Sequence, residues 1–330
     1  MNVEFHYYII HYLAQRAGIP ENQAQIIAYS SQYVDSNIVA YAIDTGKGIY
    51  NTIVTQNYGW WDDSFPNEVY LPFHFFPGNN DDHSCLRSDG KRNPLNCTPN
   101  SPGVKELLIG ALKTRDLYRV GLALHTFADS WAHQNFSGAL ENWNTLSEGS
   151  PIPSIGHAQA LKTPDDITAN WTDPRLIAAG GRINNRERFF QAARKIYKYL
   201  CVFNRKSFDD AELVIRELFA GMIPPESGKG IEERILDFII ETNIQVYDRK
   251  EWLQEAVHIN KDPFDEELFT GYDKLLWLRD ALLYRTALLK RNHLPAKNKF
   301  YQSHLFYWNE AAQSHLQAAQ EIYRPLLLKR

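Results

Sequence analysis

Apolar residues recur every three or four positions through most of the chain, which is the spacing of an amphipathic helix. Near the start, Phe5, Ile9 and Leu13 follow this spacing until Gly18 interrupts it. Alternating apolar and polar stretches, which would indicate strands, are scarce. The same criterion predicts helices over residues 3–17, 21–34, 103–113, 115–134, 186–203, 209–221, 230–245, 265–290 and 299–328. The pattern therefore predicts an all-α, multi-helix fold.

Two stretches rich in Gly, Pro, Asn and Asp separate these helices. Residues 45–102 are predicted to be loops with short extended pieces, and residues 135–184 form a second irregular passage. A structureless stretch as long as the first is usually functional or ordered by something it binds. No change in composition marks a linker, so we expect one α-helical domain over 1–330. Within it, 1–184 holds the candidate metal ligands and 185–330 is an almost continuous run of helices.

The composition is that of an ordinary globular protein, with 44% apolar and 22% charged residues. The formal net charge is −4 and no run of five like charges occurs, which argues against a nucleic-acid partner held by bulk electrostatics. The first residues show no secretory signal, and no apolar stretch is long enough for a membrane span. We therefore expect a protein without a membrane span that is cytoplasmic by default. Export by a non-classical route and the oligomeric state stay open.

The chain has three cysteines, of which Cys201 lies in a predicted helix and is expected to be a small buried apolar residue. Cys85 and Cys97 bracket a polar loop. They are either two free loop thiols or a disulfide pair, and a cytoplasmic location would keep them reduced.

The sharpest chemical signal lies in the predicted helix over 115–134. His125, Asp129 and His133 are spaced four and four residues apart, which places them on one stripe of a helix with a drift of about 40° per step. The stripe adjoins apolar residues such as Leu124, so it faces the core. A buried carboxylate with two imidazoles is costly unless the groups pair or bind a cation, and zinc accepts both ligand types. The alternative at this spacing is a buried, hydrogen-bonded His–Asp pair without metal.

Three further histidines are candidate ligands, each with a structural alternative. His6 lies among aromatic residues and is either a ligand or a hydrogen-bonded core histidine. His74 lies among phenylalanine and proline residues that would bury it, which favours a ligand over a residue that caps a turn. His157 fits either role, whereas His11 is expected to be a core residue. Surface or packing roles are expected for His258, His293, His304 and His315.

Several of these segments also resemble a known enzyme superfamily. The resemblance to the zinc-dependent phospholipase C and single-strand nuclease superfamily lies in Tyr33-Val34-Asp35, in Pro72-Phe73-His74-Phe75, and in His125-Thr126-Phe127-Ala128-Asp129 through Trp131-Ala132-His133-Gln134. It covers roughly the first half of the chain. A family of uncharacterised bacterial proteins near that superfamily is more closely similar, through Glu4-Phe5-His6-Tyr7-Tyr8 and Ile155-Gly156-His157-Ala158, and this similarity extends into residues 184–189.

The resemblance implies an all-α bundle, like phospholipase C and the nucleases, with a cleft that holds up to three zinc ions. The first ion would be bound by Asp35, His74, His125 and Asp129. His6 would share Asp129 with a second ion, and His133 with His157 would hold a third. The implied cofactor is therefore one to three zinc ions, with another divalent transition metal as the alternative.

The chain departs from the superfamily pattern in three places. His133 follows Asp129 by four residues, where the superfamily usually has six. The residue four positions after His157 is Leu161 instead of a carboxylate. The substitute carboxylate would have to be one of Asp165, Asp166 and Asp173. The superfamily also uses a processed N-terminal tryptophan as a ligand, whereas this sequence starts with Met1.

These features predict metal-assisted hydrolysis of a phosphodiester such as a phospholipid or a nucleic acid. Asp35 would be the catalytic carboxylate that orients the attacking water. Trp60, Trp61 and Trp131 are candidate cleft aromatics that would stack on a base or pack against an acyl chain. The alternative is a non-catalytic helical binding or effector module, in which a single metal site with a saturated protein shell is structural.

Overall fold

The computed structural model describes residues 1–57, 64–78, 86–223, 228–259 and 292–328. Helices account for 56% of these residues and strands for 9%, so the fold is mostly helical with small sheets added. Part of the sequence-based prediction lies outside the described residues: the helix over 265–290, Trp60, Trp61 and Cys85. None of the described helices is long and apolar enough to cross a membrane.

The described helices follow the predicted order closely. They are π1 (Glu4–Ile9), α1 (Ile10–Arg16), α2 (Glu21–Ser36), π2 (Pro66–His74), α3 (Pro102–Thr114), α4 (Leu117–Ala132), α5 (Asn185–Phe203), α6 (Ala211–Gly221), α7 (Ile231–Thr242), α8 (Glu251–Ala256) and α9 (His304–Leu327). Single 3-10 turns cover Asn142–Asn144, Ala158–Ala160, Thr163–Asp165, Ala178–Gly181 and Phe300–Gln302. The strands are β1 (Tyr41–Asp44), β2 (Ile49–Asn51), β3 (Asn170–Thr172), β4 (Arg182–Asn184) and β5 (Asn292–Pro295).

The helix that carries the central motif, α4, has well-defined ends. Asp116 caps its N-terminus, because the side chain accepts hydrogen bonds from the backbone N–H groups of Tyr118 and Arg119. The helix ends at Ala132, so His133 is the residue that caps its C-terminus and not, as predicted, a residue within the helix.

The prediction of loops throughout 45–102 was wrong for residues 66–74, which form π2. Pro72 lies inside this segment, and a proline argues against a regular α-helix because it has no N–H to donate. The segment is instead a π-helix, whose turns are rare and are often found at functional sites. Both π-helices carry a candidate ligand: π1 contains His6 and π2 ends at His74.

The core is built around α4, which packs against α2, α3, α5, α9 and π2. The closest approach is at Gly121, where a side chain would collide with the backbone oxygen of Ile27 on α2. One hydrophobic cluster contains residues from both halves of the chain, from Phe5 to Tyr323. Because α2 and π2 both lie against α4, Asp35 and His74 are brought to the same stripe as His125.

Two small sheets complete the described fold. Strand β1 lies between β2, which is antiparallel to it, and β5, which is parallel. In this sheet Ala42 is paired with Asn51 on one side and with His293 on the other. The second sheet is the antiparallel pair of β3 and β4. The pairing of β1 with β5 ties the C-terminal part of the chain to the N-terminal half.

Candidate metal centre

Eight histidine and aspartate side chains from distant parts of the chain meet beside α4. They are His6, Asp35, His74, His125, Asp129, His133, His157 and Asp165. They form three groups that could hold a metal ion. We name these the His74 group (Asp35, His74, His125 and Asp129), the His6 group (His6 and Asp129, with His125 alongside) and the His157 group (His133, His157 and Asp165).

The His74 group brings four potential ligand atoms close together. His74 Nδ1 lies 3.2 Å from His125 Nε2, and both nitrogens are 3.1–3.2 Å from Asp129 Oδ2. Asp35 Oδ1 is 3.8 Å from the first nitrogen and 3.7 Å from the second. Ligand atoms about 2.1 Å from one tetrahedral zinc are separated by about 3.4 Å. Asp35, His74 and His125 therefore lie close enough together to hold one metal ion, with Asp129 alongside.

Hydrogen bonding indicates that a proton or a metal ion lies between these side chains. His74 Nε2 lies 2.8 Å from the carbonyl oxygen of Thr55, and a carbonyl only accepts, so Nε2 carries the proton. In the neutral ring, Nδ1 then presents a lone pair to the carboxylate of Asp129 and to the His125 ring. Buried acceptors that face one another are stabilised by a proton or a metal ion. A ligand histidine that donates its second N–H to a backbone carbonyl is the usual arrangement at metal sites.

The His6 group shares Asp129 with the His74 group. His6 Nε2 lies 3.0 Å from Asp129 Oδ1, whereas Oδ2 of the same carboxylate faces the His74 group. The His6 and His125 rings stack with a centroid distance of 3.9 Å. The α-amino group of Met1 also contacts Asp129 and lies 3.2 Å from Asp165 Oδ1. Asp129 is thus placed to bridge two cation positions with its two oxygens.

The His157 group repeats the orienting hydrogen bonds. His133 Nε2 and His157 Nε2 lie 3.1 and 3.3 Å from the two carboxylate oxygens of Asp165. On the other side of each ring, Nδ1 is 2.7 Å from the carbonyl oxygen of His74 and 2.8 Å from that of Leu161, respectively. Both Nδ1 atoms therefore donate, and both Nε2 lone pairs face the same carboxylate. The two nitrogens and the Asp165 carboxylate are therefore a second set of acceptors that face one another, and they belong to residue types that bind zinc.

The structure selects one of the three carboxylates that the sequence left open. Asp165 joins His157, eight residues after it, from the 3-10 turn Thr163–Asp165. Asp173 is instead buried in a bidentate ion pair with Arg175. Asp166 accepts hydrogen bonds from Thr168. The proline-containing turn before Asp165 was the only local signal for this choice.

Burial keeps two of the histidines in the form that binds metal. It lowers the pKa of His157 to about 4 and that of His6 well below its usual range. Both rings are therefore neutral at neutral pH, and a neutral ring offers the lone pair that a metal needs. Burial alone would also lower the pKa of His74, but the hydrogen bond to Asp129 raises it above the usual value. The carboxylates of Asp129 and Asp35 thus favour the protonated form of the His74 ring.

The carboxylates divide into two kinds. Burial alone would raise the pKa of both Asp129 and Asp165, but the surrounding imidazoles and the α-amino group hold both pKa values well below the usual range. These two carboxylates stay charged. For Asp35, burial is the larger effect and raises the pKa, although His125 and His74 oppose it. Asp129 and Asp165 are thus held in the charged form, whereas Asp35 is the more basic carboxylate of the centre.

An aromatic residue that the sequence reasoning did not treat as part of the site packs on the His157 group. The ring of Phe75 stacks on His133 with a centroid distance of 4.5 Å and lies 5.8 Å from His157. Gly156 presses against the same ring, since a side chain at this position would reach Phe75 at 2.4 Å. Trp131, the cleft aromatic that is described, is half-buried and packs against the main hydrophobic core.

Three side chains of the centre reach solvent. Side-chain exposure is 25% for Asp35, 20% for Asp165 and 17% for His157. The other five side chains of the three groups are at most 5% exposed. These partly exposed residues, which belong to two different groups, are called the accessible edge, whereas the shared carboxylate of Asp129 is buried.

Comparison with known proteins gives a family and no function. No curated protein and no solved structure is significantly similar to the chain. A family model described as a family of unknown function, DUF6765, matches residues 1–322, which is almost the whole sequence. The chain therefore belongs to the DUF6765 family.

Proposed function

We propose that the chain is a zinc-dependent phosphoesterase that hydrolyses a phosphodiester, such as a phospholipid or a nucleic acid. The observation that carries this proposal is the proximity of three ligand groups, two of them sharing Asp129, with Asp35, His157 and Asp165 partly exposed. A purely structural zinc site is usually closed by four protein ligands. Here the groups offer more ligand positions than one ion needs, and they open to solvent.

The donor atoms fit zinc better than a hard cation. Imidazole nitrogen and carboxylate oxygen occur together in each group, and this mixture suits zinc or a neighbouring divalent transition metal rather than calcium or magnesium. The proposed cofactor is one to three ions, held by the His74, His6 and His157 groups. When bound, zinc supplies positive charge to the phosphoryl oxygens and lowers the pKa of water.

The protein residues then have separate tasks. Asp35, at the accessible edge and 3.7–3.8 Å from the ligand nitrogens of the His74 group, orients the attacking water for in-line displacement. Asp129 and the buried imidazoles hold the inner side and exclude solvent from it. Asp165 and His157, the partly exposed residues of the His157 group, would lie near the leaving oxygen. A site with several cations suits a phosphodiester, because charge develops on both the attacking and the leaving oxygen.

The resemblance to the zinc-dependent phospholipase C and single-strand nuclease superfamily supports the same proposal. The ligands implied by that resemblance come from the motifs around Asp35, His74 and His125, and these residues lie together in the folded chain. Asp165 takes the place of the carboxylate that the superfamily has at the position of Leu161, and it completes the His157 group.

The test is hydrolysis of bis(p-nitrophenyl) phosphate by the purified chain, with bound zinc counted in the same sample. Turnover should stop in excess chelator and return when zinc is added. Asp35→Asn should lower kcat by more than about 100-fold, the upper end of the effect of residues that only support a ligand, while bound zinc is retained. Asp166→Asn is the matched control, since this aspartate neighbours Asp165 but bonds to Thr168.

Two results would overturn the proposal. One is the absence of turnover on phosphodiester, phospholipid and single-stranded nucleic acid with two or more zinc ions bound. The other is a single tightly held ion whose ligand shell is complete. The second result would instead support a helical binding module with a structural metal.

A further inference from the structure

A fourth group of contacts behind the metal centre comes from the C-terminal helix. His315 lies on α9 and is fully buried. Its Nε2 atom is 3.1 Å from the carbonyl oxygen of Pro72 and 3.1 Å from Thr126 Oγ1. Its ring stacks on Phe73, with a centroid distance of 5.3 Å. The residue therefore contacts π2 and α4 at the same time.

These contacts fall next to two proposed ligands in the sequence. Pro72 and Phe73 directly precede His74 in the last turn of π2, and Thr126 directly follows His125 on α4. Thr126 Oγ1 also lies 3.3 Å from the carbonyl oxygen of Pro72. A single imidazole, with one hydroxyl, thus joins the two backbone segments that set the distance between His74 and His125.

The carbonyl of Pro72 needs such a partner. Carbonyl groups in the last turn of a helix have no partner within the helix. The residue five positions further along, which would donate in a continuing π-helix, is Pro77 and has no N–H. Because this carbonyl is far from solvent, a side-chain donor is required to avoid a buried unsatisfied acceptor. Two side chains donate to it, His315 through Nε2 at 3.1 Å and Thr126 through its hydroxyl at 3.3 Å.

We propose that His315 is a positioning residue for the His74 group, which fixes the separation of His74 and His125 by bonding to Pro72 and Thr126. This role depends on one part of the proposed function, namely that the His74 group binds a metal ion. Burial and the nearby Arg119 guanidinium lower the pKa of His315 to about 3, so the ring is neutral and carries one N–H. In the described part of the chain its Nδ1 has no hydrogen-bond partner, which leaves Nε2 as the protonated atom.

His11 provides a matched control within the same protein. It is also fully buried and bonded through Nε2, in this case 3.0 Å from Glu21 Oε1. Its Nδ1 likewise has no partner among the described residues. The two histidines therefore differ mainly in whether the bonded residues adjoin His74 and His125.

The experiment compares Co(II) binding by the wild-type chain, His315→Leu, His315→Gln and His11→Leu. Co(II) reports ligand geometry through its visible absorption spectrum, and competition with a chelating dye gives affinity. His315→Leu should lose about tenfold in affinity, the lower end for residues that support a ligand, and its spectrum should change. His315→Gln should restore both properties, because its amide nitrogen can occupy the position of Nε2. His11→Leu should lower stability and leave the spectrum unchanged.

If His315→Leu does not fold, His315→Asn replaces it, since its shorter amide cannot reach the position of Nε2. The inference is overturned if the non-donating variant lowers stability as His11→Leu does, with wild-type spectrum and affinity. It is also overturned, together with the proposed function, if the wild-type chain binds no Co(II). Normal Co(II) binding without turnover on any phosphodiester would overturn the proposed function alone.

Discussion

The carbonyl oxygen of His74 accepts a hydrogen bond from Nδ1 of His133, at a distance of 2.7 Å, although the two rings face different ligand groups. His74 Nδ1 belongs to the His74 group, and His133 Nε2 faces Asp165 in the His157 group. The backbone that positions one ligand therefore also orients a ligand of the next group. This connection predicts that metal binding at the two groups is energetically coupled.

Asp165→Asn tests the coupling, because it removes a charged ligand of the His157 group and touches no residue of the His74 group. The variant should bind one metal equivalent less than the wild-type chain. The affinity of the remaining sites should also fall, by about fivefold or more, which is the low end of typical coupling between sites. Calorimetric titration of the chelator-treated chain with zinc measures both quantities. Asp166→Asn should behave like the wild type, and unchanged affinity at the remaining sites of Asp165→Asn would show that the groups are independent.

Gly156→Ala is expected to weaken the His157 group through Phe75. The new Cβ would lie 2.4 Å from the Phe75 ring, which stacks on His133, so the ring must move away from its position. The glycine also has φ +48°, and an alanine in this left-handed region adds roughly 1 kcal/mol of strain. Zinc affinity at this group should fall by about tenfold, as for other supporting residues. Competition with a chelating dye is the measurement.

Gly90→Ala separates strain from collision in that experiment. Gly90 has φ +67°, and an added Cβ would have no other atom within 4 Å, so the substitution should add similar strain and leave zinc affinity unchanged. Equal loss of zinc by both variants would mean that Phe75 has no part in positioning His133.

Gly121→Ala is expected to separate α2 from α4. Its Cβ would lie 2.4 Å from the carbonyl oxygen of Ile27 and 2.6 Å from Ser30 Cβ, and neither helix can yield without repacking. Overpacking of this kind typically lowers the free energy of unfolding by about 1–3 kcal/mol. Because α2 carries Asp35, zinc affinity should fall as well. Urea unfolding in chelator, followed by a zinc titration, measures the two effects separately.

Gly110→Ala is the control for that substitution. It lies within helix α3 with nothing within 4 Å of the added carbon, so the higher helix propensity of alanine should raise stability by up to about 1 kcal/mol. If both glycine variants were stabilised, the close approach of α2 and α4 at Gly121 would be disproved.

Local sequence spacing was enough to predict the stripe on α4. His125 and Asp129 follow a helical period, and their apolar neighbours on the same helix indicate burial. The helices with strong amphipathic patterns, such as α5, were predicted nearly to their observed bounds. These features depend only on residues a few positions apart.

Features that depend on distant contacts were not predictable in this way. His315 lies 189 positions from Thr126, and its helical spacing carries no information about that bond. Asp165 was one of three possible carboxylates, because a 3-10 turn has no periodic pattern. The π-helix before His74 was missed because Pro72 is locally a helix breaker.

The metal-free chain should lose stability in acid partly through His315. The pKa of this residue is about 3 in the folded chain, against an ordinary value of 6.5. The unfolded chain therefore binds more protons at this residue between these two pH values, so its contribution to stability is lost as the pH falls through that window. The slope for one such group reaches about 1.4 kcal/mol per pH unit.

His315→Gln cannot titrate, so its free energy of unfolding should fall less steeply than that of the wild type between about pH 6 and pH 4. Urea unfolding in excess chelator at several pH values gives both curves, and parallel curves would show that burial of this imidazole does not limit acid stability.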